Sequence, residues 1–158
     1  MQAKSKIILG AITAVIVVLI LSEALAPNST PDSVQIEDQL QSAAAAANDK
    51  DVDGIMSITS QNYSDSDGDN PVQLAVLLRR GMSNVRDLDV TIAPPTVEIT
   101  SDHAVTNSYV TVVADGQTVF NQLVTLNWQK EATRRYFVIP DKVWRVTHSN
   151  FTGGLGSD

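Results

Sequence analysis

The chain contains no cysteine, which removes disulfides, thiolate metal sites and a cysteine nucleophile together. Histidine is almost as scarce: His103 and His148 are the only two, far from the short spacing of a paired metal site. Glycine-rich phosphate loops and serine nucleophile elbows are also missing, so the sequence implies neither a metal nor a cofactor. Basic residues are outnumbered, 11 Lys and Arg against 18 Asp and Glu, for a net charge of −7. The clustered positive charge that neutralises phosphates is lacking, which argues against a nucleic-acid partner. The pairs Arg79-Arg80 and Arg134-Arg135 read as solvated faces rather than an anion site.

Long apolar runs are rare too, with one exception. Lys4 and Lys6 precede an uncharged run, Ile7–Leu21, that ends at Ser22-Glu23. Basic flanks stay cytoplasmic, so the rest of the chain is expected outside the inner membrane, in the periplasm of a bacterium. Small-residue cleavage sites occur at Ser22-Glu23-Ala24 and Ala24-Leu25-Ala26, and Pro27 opposes cutting at the second. Residues 1–26 therefore read as a single-pass signal-anchor touching lipid through residues 7–22; cleavage would instead make the protein secreted. Residues 27–32 form a linker, 33–151 one domain and 152–158 a flexible, glycine-rich tail.

Within the domain, helices come first. Ile36, Leu40, Ala43, Ala44 and Ala47 recur at helical spacing from a start near Pro31 to Ser33. A short helix over Val52–Met56 and a strand at Gln61–Tyr63 follow, and Pro71–Val85 is a third helix. Beyond Arg86 the pattern alternates: Leu88, Val90, Ile92, then Pro94-Pro95, then Val97 and Ile99. Ala104–Trp128 reads as a long hairpin with Asp115-Gly116 at its tip. An uninterrupted ladder from that turn pairs residues whose numbers sum to a constant. It puts Val105, Tyr109 and Val113 on the covered face with Phe120, Val124, Leu126 and Trp128, and Val110, Val112, Val119 and Leu123 on the outer face. It also places Asn107 and Gln122 inside and sets His103 opposite Trp128. A last β segment, Tyr136–Ile139 and Val143–His148, is joined through Pro140-Asp141-Lys142. Helices followed by strands indicate an α+β fold, an antiparallel sheet with the N-terminal helices on one face.

From Ile36 to Phe151 the chain resembles the nuclear transport factor two-like superfamily, which includes SnoaL-like polyketide cyclases and ketosteroid isomerase. The alanine-rich first helix, the passage Asn48-Asp49-Lys50-Asp51-Val52-Asp53-Gly54-Ile55-Met56, the strand end Tyr63-Ser64-Asp65 and the closing Val143-Trp144-Arg145-Val146 carry the likeness, in that order. The resemblance implies a cone-shaped, curved antiparallel sheet with helices on its concave face. Where the family has an Asp-Gly-x-Trp turn, this chain has Pro140-Asp141-Lys142-Val143-Trp144. The fold hosts enzymes, binders and scaffolds alike.

Asp65, Asp67 and Asp69 alternate as at the start of a calcium loop, but Asn70 and Val76 stand where a glycine and a bidentate glutamate belong. Capping of the third helix by Asp69 or Asn70, with Pro71 at its first position, is the expected role. Candidates to line a ligand pocket in the cone are Tyr63, Asp65, His103, Asn107, Tyr109, Gln122, Trp128 and His148. No combination of them reproduces the carboxylate base, with its tyrosine and protonated-aspartate donors, on which the isomerase relies. The expected function is a membrane-anchored, extracytoplasmic, non-catalytic interaction or scaffold domain with room for a small apolar ligand. Oligomers or a protein partner are expected through Val110, Val112, Val119 and Leu123. The alternative is a small-molecule enzyme of the cyclase or isomerase type.

Overall fold

The structure, a computed structural model, describes residues 30–135 and 139–151; the expected anchor and tail lie outside these residues. Among the described residues no helix is long and apolar enough to cross a membrane.

Helix α1 (Asp32–Asn48) buries Ile36, Leu40, Ala44 and Ala47 of the stripe its periodicity predicts, and leaves Ala43 half-buried. Its alanines allow close approach: a Cβ on Gly54 would come within 2.7 Å of Ala46 Cβ, so only glycine lets the short helix α2 (Val52–Met56) lie against α1. Lys50 ends the first helix at φ 55° and donates through Nζ to the carbonyls of Val85 and Arg86. Strand β1 (Thr59–Asp65) follows, then α3 (Pro71–Ser83). Asn70 caps α3 by accepting from Val72 and Gln73 N–H, Gln73 reciprocates, and Pro71 holds the first position, as the sequence indicates.

The remaining strands are β2 (Leu88–Ile92), β3 (Thr96–Thr100), β4 (His103–Ala114), β5 (Gln117–Arg135) and β6 (Ile139–Phe151). The sheet runs β1-β6-β5-β4-β2, and β3 joins the same edge of β4 as β2. Pro94-Pro95 spans the gap between those two edge strands, where Ala93 N–H donates to Tyr109 O and Ser108 Oγ to Ala93 O. Asn48 covers the outer edge of β2, accepting from Val90 N–H and donating to Val90 O.

Three expectations require correction. The sheet is mixed rather than antiparallel, because β1 runs parallel to β6. Pro140-Asp141-Lys142 is no turn: it lies within β6, opposite Arg134, Thr133 and Ala132 of a longer β5.

The third correction concerns register. The turn is as expected, with Asp115 at φ 50° and Gly116 at φ 79°, and Ala114 faces Gln117. One step further in, the ladder slips: Val113 faces Thr118, but Val112 faces Phe120, leaving Val119 as a bulge. Phe120, Val124, Leu126 and Trp128 remain on the covered face. Their partners become Val112, Ser108, Thr106 and Ala104, and His103 faces Gln129. Val105, Asn107, Tyr109 and Val113 therefore lie on the outer face, while Val110 and Val112 turn inward. An extra residue in one strand leaves its own far half in place and reverses the faces of its partner.

Candidate functional site

The core that fixes the cone closes around two indoles. Trp128 and Trp144 are 1% and 0% exposed and pack with Ile36, Leu40, Tyr63, Ala104 and Val146. A buried indole N–H needs an acceptor. Trp128 Nε1 donates to Thr106 Oγ1 at 3.0 Å, and Trp144 Nε1 to Asp32 Oδ1 at 3.1 Å. Asp32 also accepts from Lys130 Nζ at 2.7 Å, and that ammonium stands 5.4 Å from the Trp144 ring centre. The Lys130 hydrogen bond, with help from Trp144, holds the Asp32 carboxyl below its ordinary pKa despite partial burial.

Towards the hairpin tip, the packing opens. Helix α3 buries none of its residues fully, and Leu77, Leu78, Gly81 and Met82 face an apolar groove instead of filling it. Ala43, Ala44 and Ala47 of α1 form one wall, too small to close the space. Val90 and Ile92 with Val110, Val112 and Val119 form the floor. The groove is about 680 Å³, within the range of small-molecule sites, and among the described residues none of its lining side chains is titratable. The bulge builds this floor, since it turns Val110 and Val112 toward the helices.

The predicted pocket residues do not converge there. Tyr63 is buried at the other end of the core, its hydroxyl 2.6 Å from Ser149 Oγ, and burial raises its pKa. Asp65 Oδ1 is occupied by the N–H groups of Asp67 and Asp69. His148 Nδ1 lies 2.5 Å from the Ser64 carbonyl, and His103 is exposed at the start of β4. Asn107 accepts from Thr125 Oγ1 at 2.6 Å on the outer face, where Tyr109, opposite Leu123, is 60% exposed. Trp128 belongs to the core. Gln122 is inside, opposite Val110, with Oε1 buried and, among the described residues, without a hydrogen-bond partner. Of the four interface candidates, Val110, Val112 and Val119 line the groove and only Leu123 lies outward. Sequence reasoning overlooked the alanine run as a groove wall, although its small side chains are the signal.

A second, polar pocket of about 600 Å³ lies along β1, β5 and β6 and includes Arg145 of the closing Val143–Val146 pattern with Ser60 and Glu131, which no sequence pattern singles out.

No family model and no curated protein matches this chain. Solved structures do. An NTF2-like protein of unknown function from Pseudomonas putida KT2440 superposes with a TM-score of 0.64 at 14% identity, over 82% of this chain and 92% of that one. A putative dehydratase of the NTF2-like family from Streptomyces avermitilis gives 0.58 at 13% identity, over 79% and 97%. Bdellovibrio bacteriovorus Bd1075 gives 0.62 at 9% identity over 73% of this chain, which spans only 38% of that protein. The chain has the nuclear transport factor 2-like fold. At these identities the likeness is one of fold and extends to no activity.

Proposed function

We propose that this domain is a non-catalytic binding module that takes an apolar ligand into the groove between α1, α3 and the β2–β4 edge. A groove whose lining, among the described residues, has no titratable side chain carries this reading. General acid–base chemistry needs a proton-transfer group within hydrogen-bond reach of the ligand, and a polyketide cyclase or ketosteroid isomerase depends on one. Apolar walls favour a ligand held by burial, at roughly 25 cal/mol for each Å² removed from water. The run Ile7–Leu21 would hold the module on the extracytoplasmic side of a membrane, where apolar molecules are at hand.

Binding of a dansylated fatty acid, followed by fluorescence, tests this. Saturable binding should be weakened at least about tenfold by Val112→Asp, which places a carboxylate among apolar walls. Equal binding by the variant would overturn the reading.

One observation favours a second contact. Tyr109 is 60% exposed on the outer sheet face opposite Leu123, the arrangement of an aromatic anchor for a protein partner or a second copy of this chain. Sedimentation of wild type and Tyr109→Asp should then differ in assembly state, and identical monomers would remove that contact.

A further inference from the structure

The polar pocket holds two opposite charges that are kept apart. Gln129 faces Arg145 and Glu131 faces Val143 across the β5–β6 ladder, so Glu131 and Arg145 occupy diagonal positions on the face opposite Trp128 and Trp144. Diagonal residues lie roughly 7–8 Å apart at the backbone, within the joint reach of a carboxylate and a guanidinium. They do not pair. Ser60, 1% exposed, donates its hydroxyl to Glu131 Oε1 at 2.5 Å and accepts from Asn62 N–H at 2.9 Å, which commits the carboxylate toward β1. Among the described residues Arg145 has no hydrogen-bond or ion-pair partner, and Glu131 has no cation. Both side chains are only partly exposed. Partly buried charges are ordinarily paired, because desolvation penalises a lone ion. Gln61, Asn62 and Thr133 supply further hydrogen-bonding groups around the space.

From this separated pair we infer that the pocket is a binding site for a small zwitterion, with an ammonium on Glu131 and a carboxylate on the Arg145 guanidinium. The guanidinium suits a carboxylate because its planar fork donates two parallel hydrogen bonds. Ser60 is a positioning residue: it holds Glu131 away from Arg145 and so keeps both ends of the site open. The site is independent of the apolar groove and stands or falls apart from it.

Calorimetric titration of the full chain in detergent micelles tests the assignment with ω-amino acids running from glycine through β-alanine and γ-aminobutyrate to ε-aminohexanoate. One length should bind at least about tenfold more tightly than the matching amine or carboxylic acid alone, since only the zwitterion satisfies both charges. Arg145→Gln and Glu131→Gln should each reduce that affinity to the level of the singly charged compounds. Ser60→Ala keeps both charges but frees Glu131 to turn toward Arg145, and should weaken binding while the unfolding transition stays cooperative. If no length exceeds the singly charged controls, or if binding survives Arg145→Gln, the site does not exist.

Discussion

Val112 faces Phe120 across the β4–β5 ladder while its neighbour Val113 faces Thr118, so the strand pairing steps over Val119. This single bulge decides which valines of β4 meet the helices, and so whether the cone contains an apolar groove.

Deleting Val119 should therefore be tolerated. Thr118 and Phe120 would become adjacent, Val113 and Val112 would keep their partners, and the ladder would close without a face reversal. Urea unfolding of the deletion variant should remain cooperative and lose no more than about 1–2 kcal/mol, the ordinary range for a single change outside a core. Loss of the cooperative transition would mean that the ladder has no bulge at this position.

Much of the fold is legible in the sequence, and the bulge shows where legibility stops. Ile36 and Leu40 announce the first helix, Asn70-Pro71 the start of the third, and Asp115-Gly116 the hairpin tip, because capping and positive φ are local demands. A bulge has no such local signature here: Val119 sits among β-formers, as a regularly paired residue would. An unbroken ladder makes inward amides of both Asn107 and Gln122, and only Gln122 is one. The parallel partnership of β1 with β6 joins segments more than eighty residues apart, which alternation cannot reveal. The separation of Glu131 from Arg145 depends on Ser60 reaching across from β1 and is equally hidden.

The tie between α1 and the closing strands should be pH-dependent. Asp32 accepts from Lys130 and from Trp144, and its folded pKa lies below its unfolded value near 3.9. A depressed carboxyl contributes stability that is fully present above the unfolded pKa and is lost as pH falls through the folded one. Asp32→Asn should thus be less stable than wild type by roughly 1–2 kcal/mol at neutral pH. The deficit should shrink as pH falls from the unfolded carboxyl's range through the lower folded one, where the native carboxylate takes up its proton. A deficit independent of pH in thermal melts would contradict the ion pair.

Gln122 offers a stabilising substitution. Its buried Oε1 has no partner among the described residues, and an unsatisfied acceptor costs about 1–3 kcal/mol. Gln122→Met replaces the amide with an apolar chain of similar length and should raise the denaturation midpoint. Destabilisation would show that the amide oxygen is satisfied in solution.

Trp128→Ala should cost about 3–5 kcal/mol, through lost burial, a cavity and an orphaned Thr106 hydroxyl. Asn70→Ala should cost about 1 kcal/mol for the lost cap of α3. Equal effects of the two in chemical denaturation would mean that Trp128 does not sit in the core.

The most direct test of the groove is photolabelling of the full chain in lipid vesicles with a diazirine-bearing fatty acid, followed by peptide mapping. Adducts should concentrate on α3 and β4, at Leu78, Met82, Val110 and Val112, and should be competed away by unlabelled fatty acid. Adducts spread over the chain without competition, or absent from α3 and β4, would contradict the account.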